Sequence, residues 1–182
     1  LMKNASEKLG STEIVISSGL RYFDPALAGR MQEISGEKCT SVLEADGYSQ
    51  NFATGETALN TKIYGITDDF WRFHGLKSVS ISPGTAAINE RLAEETGLNE
   101  GDEIIIVFRE SDPIPENAPF ASSDEGSLSK VMRVGKILST DEMGNFSLGI
   151  SQVNPMNIFI NLSETTGDIT KKARANRLLL AN

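Results

Sequence analysis

The stretch from Ile88 to Val107 constrains this fold most, because helix start, helix stop, turn and buried strand follow one another there without a gap. Asn89 is placed to cap a helix whose first turn carries Glu90, with Ile88, Leu92 and Ala93 on one side and Arg91, Glu94 and Glu95 on the other. Gly97 ends it, since glycine readily takes the left-handed conformation of a C-terminal cap, and Leu98 can fold back onto Leu92 or Ala93. Gly101-Asp102 makes the next turn. The run Ile104-Ile105-Ile106-Val107-Phe108 is too short for a membrane span and too β-branched for a comfortable helix, so it reads as a core strand. Nothing in the block is catalytic in kind; it is an architectural landmark.

Around it the chain reads as follows. Residues 1–10 alternate polar and apolar and fit the tail of a helix. Glu13–Ser17 is a short strand closed by Ser18-Gly19. Asp24-Pro25 opens a helix with Leu27, Met31 and Ile34 as its buried stripe, and Gly36 ends it. Cys39–Ala45 is a second strand, Asp46-Gly47 a turn, and Thr57–Ile66 a longer strand with Leu59 and Ile63 on one face, giving a β-α-β-β opening. Thr67-Asp68 caps a short helix, Asp69–His74, whose three aromatics serve packing and which Gly75 terminates. Ser78–Ala87 leads through the turn dipeptide Pro83-Gly84 into the landmark helix. Val131–Ser139 is a strand, Asp141–Asn145 a turn, and Phe146–Ile150 its hairpin partner. After Asn154-Pro155, Asn157–Leu162 alternates as a strand, Ser163 caps a short helix, and Arg174–Ala181 forms a terminal strand or the approach to a further segment.

Function is first bounded by exclusion. The 182 residues suffice for one domain, divisible into two lobes. A net charge of −8, from 17 Lys and Arg against 25 Asp and Glu, repels polyanions, so nucleic acid is not an expected partner. The single Cys39 cannot form an internal disulfide and suits a half-buried position better than a reactive one. His74 is the only histidine; beside a glycine stop it fits a helix C-terminal cap better than a ligand or base. No phosphate loop, dinucleotide turn, nucleophile elbow or calcium loop is present, and Asp68-Asp69, Glu94-Glu95 and Asp124-Glu125 are adjacent acids that diverge on a helix or strand. No catalytic residue, cofactor or metal is therefore expected.

Two segments remain as candidates for contact. Ser111–Ser129 is an acidic loop holding half of the six prolines. Connections beyond ~15 residues are uncommon in compact domains unless they bind something or are disordered. Ile114 and Phe120 are its large apolar groups before Leu128, so it is either a partner-contact loop through those two or a tolerated insertion. Lys171, Lys172, Arg174 and Arg177 gather four positive charges within seven residues, either to face anionic lipid or to guard a solvated strand edge.

Five blocks in succession resemble the extracytoplasmic domain of MacB/FtsX-like ABC transporter permeases: Ser18–Asp24 with Leu27-Ala28; Gly65–Trp71; Ile88–Ala93 continuing to Gly97-Leu98 and Gly101-Asp102; Phe146–Leu148 with Ser151-Gln152, Pro155 and Asn157–Leu162; and Arg174–Leu180. The resemblance implies an α+β fold, a β-α-β lobe completed by the C-terminal segment with an inserted, mainly-β lobe. Residues 1–182 would be one extracytoplasmic domain, lobe one 10–75 plus 150–182 and inserted lobe 76–149, excised from a longer inner-membrane protein and lying on its periplasmic side. It implies a role without enzymatic activity: coupling ATP-driven motion of membrane helices to a periplasmic substrate or partner protein, in efflux, lipoprotein or peptide handling, or mechanotransmission. The implied partners are a cytoplasmic ATPase subunit, reached through the membrane helices, a periplasmic protein, and the membrane itself as part of the parent protein. The rival classes are a solute-binding receptor, which needs a large pocket, and a secreted hydrolase, which needs a convergent polar set.

Overall fold

The computed structural model describes residues 7–19, 21–109, 128–149, 153–166 and 172–182. Its strands are β1 (Ile14–Ser17), β2 (Lys38–Asn51), β3 (Thr57–Ile66), β4 (Thr85–Asn89), β5 (Glu103–Phe108), β6 (Ser129–Leu138), β7 (Met156–Asn161) and β8 (Arg177–Ala181). Short helices α1 (Leu27–Ser35), α2 (Asp68–Phe73) and α3 (Glu90–Thr96) join them. The fold is α+β, built on one eight-stranded mixed sheet.

The long strand β2 organises that sheet. One of its edges pairs with β3; the other is shared in succession, first by β8 along Lys38–Val42 and then by β5 along Gly47–Asn51. Two backbone bonds mark the handover: Asn176 N–H donates to the Val42 carbonyl and Arg109 N–H to the Asp46 carbonyl. Because β5 returns to β2, the strands β2, β3, β7, β4, β6 and β5 close into a ring, and β8 and β1 extend from it as a flap. Within the ring β3–β7 and β4–β6 are parallel and the other pairings antiparallel.

Alternation along the strands sends one set of side chains inward. Leu43, Ile63, Ile88, Ile104, Ile106, Phe108, Ile158 and Ile160 fill the ring, and Leu92 and Leu98 from α3 and its exit close it. Full burial of each such side chain contributes roughly 1.5–3 kcal/mol. The opposite set meets α2 in an aromatic layer of Tyr64, Phe70, Trp71, Phe146 and Phe159; Tyr64 and Phe159 stack at 5.4 Å and Phe70 meets Phe146 edge-on at 5.1 Å. A third, smaller cluster puts Ala28 and Met31 of α1 on Cys39, Leu178 and Leu180.

The landmark block forms as expected from Asn89 onward. Asn89 Oδ1 accepts from Leu92 N–H at 3.2 Å, Gly97 takes φ 65°, and Leu98 N–H donates to the Ala93 carbonyl at 3.1 Å. Ile88, however, belongs to β4 and not to the helix, and the lead-in segment supplies that strand. The order β1, α1, β2, β3 matches the expected opening, and β3 spans the expected residues.

Other expectations need correction. Asp46-Gly47 is not a turn: β2 runs through it, and the chain reverses at residues 52–56 instead. Glycine is required at 47 for closeness, since a Cβ there would lie 2.2 Å from the Val107 carbonyl oxygen. The register shifts between Gly47 and Ser49, which leaves Leu59 exposed while Ile63 is buried. In α1 the stripe stops early: the helix overhangs the small third cluster, and Ile34 is 81% exposed. Phe146–Gly149 form no strand, because the Asn157 carboxamide holds the Gly144 and Phe146 carbonyls and Phe146 is drawn into the aromatic layer; Ile150 lies outside the described residues. Asn157–Ile160 are buried on both faces, lying between the ring interior and the aromatic layer. The cap position of the 3₁₀ turn Leu162–Thr165 is Asn161, with no side-chain cap bond, so Ser163 does not serve.

Candidate functional site

His74, the chain's single histidine, ends α2 at the C-cap position. Its ring lies 4.6 Å from that of Phe70, 4.9 Å from Phe73 and 5.5 Å from Phe146, centre to centre. Nδ1 accepts the Ser11 N–H at 3.1 Å, so the neutral ring carries its proton on Nε2, which is buried without a partner. Burial lowers its pKa from 6.5 to about 4. Among the described residues this imidazole is held by a backbone amide and not by the carboxylate that orients a triad histidine. Gly10 makes the seat possible: it has φ 56°, and a Cβ there would lie 2.5 Å from Nδ1.

Cys39 is buried under α1, and desolvation raises its thiol pKa, the direction of an inert thiol. Among the described residues no group of three His, Cys, Asp or Glu side chains is placed to hold a metal ion.

A cleft of about 730 Å³ lies among the described residues between α1, α2 and the first residues of β2. Ala26, Gly29 and Gln32 form one wall, Thr67, Asp69 and Arg72 the other, with Cys39 to Ser41 between them. Arg72 pairs with Asp69, Gln32 Oε1 accepts the Cys39 N–H at 3.4 Å, and Ser41 Oγ donates to the Pro25 carbonyl at 2.9 Å. Thr40 Oγ1, on another of the lining side chains, is buried without a partner among the described residues.

The C-terminal basic segment is divided by the fold. Arg177 lies on β8, where Nε donates to Glu44 Oε2 at 2.9 Å and Nη1 to Ser17 Oγ at 2.9 Å. Glu44 is also 3.9 Å from Lys62, which pairs with Asp46 at 2.6 Å. Lys172 is exposed, Arg174 is half-buried, and Lys171 lies outside the described residues. Ile114 and Phe120 also lie outside them; their loop leaves the ring where Phe108 N–H bonds the Leu128 carbonyl at 2.9 Å, between the end of β5 and the start of β6. The Arg177–Glu44 pair is not legible in sequence because its partners stand far apart along the chain and no local pattern links them.

No family model matches the chain, and no curated protein sequence matches it significantly. Solved structures do. The periplasmic region of MacB from Actinobacillus actinomycetemcomitans superposes with a TM-score of 0.57 at 11% identity, over 97% of this chain and 77% of that one. The chain has the fold of a MacB-like periplasmic domain. At this identity the likeness is one of fold, and it agrees with the family that the sequence blocks pointed to. Within the MacB-like fold those blocks fall on the β1–α1 connection, the β3–α2 corner, the α3 landmark, the β7 region and β8. Among the described residues no helix is long and apolar enough to cross a membrane.

Proposed function

We propose that this chain is the extracytoplasmic domain of an ABC transporter permease, carried between two membrane helices, and that it passes their ATP-driven movement to a periplasmic substrate or partner protein. One observation carries the reading beyond likeness of fold. β1 and β8, the strands that open and close the fold, lie side by side and antiparallel, with Ile14 against Leu180 and the Asn182 carboxamide donating to Glu13 at 3.2 Å. The first and last strands thus lie side by side in the sheet, an arrangement that suits a domain held between two successive membrane helices. Both strands are continuous by hydrogen bonding with β2, and β2 with the closed ring, so displacement applied at that edge is transmitted through a stiff sheet. In this reading residues 10–75 with 150–182 form the driven lobe and 76–149 the inserted lobe that meets the partner.

The role is non-enzymatic in this proposal, a reading supported by the half-buried His74, which desolvation keeps neutral. The test is replacement of residues 1–182 by a short linker in the parent permease. ATP hydrolysis by the cytoplasmic subunit should persist while transport is lost; undiminished transport would overturn the proposal.

A further inference from the structure

We propose that the cleft between α1 and α2 is a peptide-binding site, which takes one extended segment of a partner protein along the open side of β2. Pairing of β2 with β8 begins at Lys38, whereas its pairing with β3 begins only at Leu43. Among the described residues the stretch 38–41 therefore has a strand on one side only. The cleft of about 730 Å³ lies on the other side, where β3 has given way to Thr67 and α2.

The register fixes which peptide groups face it. On the β8 side the Val42 carbonyl accepts the Asn176 N–H, and Asn176 Oδ1 accepts the Glu44 N–H. Alternation along an antiparallel ladder then turns the peptide groups of Cys39 and Ser41 the opposite way, into the cleft. The Cys39 N–H does point there, toward Gln32 Oε1 at a long 3.4 Å. The Ser41 N–H and the Cys39 and Ser41 carbonyls stand on the same side without a strand to receive them.

These groups select an extended chain as the occupant. Main-chain donors and acceptors two residues apart on one line are matched by a second extended backbone, the spacing used when a peptide adds a strand to a sheet. Space for it is clear: the α1 wall presents Ala26 and Gly29, and a Cβ added at Gly29 meets no atom within 4 Å. Thr40, 1% exposed, lines the cleft and leaves Oγ1 unpartnered, a hydrogen-bonding group that the described chain does not use. Lys38 is exposed at one end and forms no ion pair among the described residues, so it favours an acidic peptide residue there, while Arg72 and Asp69 neutralise each other. Four residues make a short edge in open solvent, but here α1 and α2 flank it and add contacts on both faces of the incoming chain. The inference does not depend on the transport role.

Selection of a displayed random octapeptide library on the 182-residue chain tests this, with the Gly29→Leu variant as counter-target. That change fills the cleft from the helix side and replaces glycine by a better helix former, so the fold is retained. Peptides held by wild type and not by the variant should, once synthesised, shift the Cys39 and Ser41 amide resonances saturably. N-methylation of alternate peptide nitrogens should weaken them by at least about tenfold. Thr40→Val should weaken binding while raising the melting temperature, because it removes a buried unpaired hydroxyl. Lys38→Gln should reduce the preference for an acidic residue. A selection that returns no peptide distinguishing wild type from Gly29→Leu overturns the proposal, as do peptides that leave the Cys39 and Ser41 amides unmoved or bind equally well when N-methylated.

Discussion

The carboxamide oxygen of Asn89 accepts the backbone N–H of Asn157 at 3.0 Å, and the same oxygen caps α3 through Leu92 N–H at 3.2 Å. Its Nδ2 donates to the Pro155 carbonyl at 2.7 Å, so one side chain, 1% exposed, joins the end of β4, the start of α3 and the approach to β7. Asn89→Ala removes a helix cap, worth about 1 kcal/mol, and leaves further buried backbone groups unpaired at ~1–3 kcal/mol each, so a total loss of about 3 kcal/mol is expected in urea unfolding. Glu90→Ala, one residue on and exposed, should stay within about 0.5 kcal/mol of wild type. A cost for Asn89→Ala as small as that of Glu90→Ala would refute the triple role.

His74 makes stability depend on pH in a stated direction. Its folded pKa, about 4, lies below the ordinary 6.5, so between those values the unfolded chain binds the extra proton. The contribution is fully present above pH 6.5 and is lost as pH falls toward 4, by on the order of 2–3 kcal/mol. His74→Gln retains an acceptor for the Ser11 amide without a titrating ring. The wild-type minus variant difference in unfolding free energy should therefore fall across that window, and a difference flat from pH 7 to 4 would contradict the enclosed neutral ring.

Much of this fold was legible where the signals were local. The cap at Asn89, the stop at Gly97 and the full extent of β3 follow from side chains acting within a few residues of themselves. What could not be read depends on distant partners. Gly47 looks like half of a turn dipeptide until Val107 is brought over it, and Phe146 looks like a strand residue until Asn157 binds the carbonyls around it. β4 is short and small in side chain, and only its pairing with β6 and β7 reveals it. The same applies to the surfaces: Ile14-Val15-Ile16 has the composition of a buried strand, and its exposure is a consequence of its last place in the sheet. Arg177 counted as one of four neighbouring charges in sequence, whereas its ion pair with Glu44 is a product of the β2–β8 register.

That division separates two effects of the basic segment. The membrane proposal rests on Lys171, Lys172 and Arg174, each gaining on the order of 1 kcal/mol near anionic headgroups at low salt. Replacing these three by Gln should abolish co-sedimentation with anionic vesicles and leave unfolding unchanged. Arg177→Gln should instead leave the half-buried Glu44 carboxylate with only the longer Lys62 contact and destabilise the fold by about 1–2 kcal/mol. Equal vesicle binding by wild type and the triple variant at low salt would assign the segment to guarding a strand edge.

The loop proposal has the sharpest boundary in the structure. Phe108 and Leu128 are joined by a backbone bond and belong to the β5–β6 ladder, so the exchangeable segment is 110–127 and excludes Leu128 and Ser129. Loop length enters stability only logarithmically, by about 0.6 kcal/mol per doubling, so a short Gly-Ser link there should leave the melting temperature nearly unchanged. In the proposed transporter the segment carries Ile114 and Phe120 on a proline-stiffened chain, which reduces the entropy lost on docking. Transport by the intact protein should therefore fall on replacement of the segment, and fall comparably for Ile114→Ser with Phe120→Ser in an otherwise native loop. Full transport after both changes would make the loop a tolerated insertion. Loss of transport with the linker but not with the two serines would place the contact elsewhere in the segment than at its two large apolar side chains.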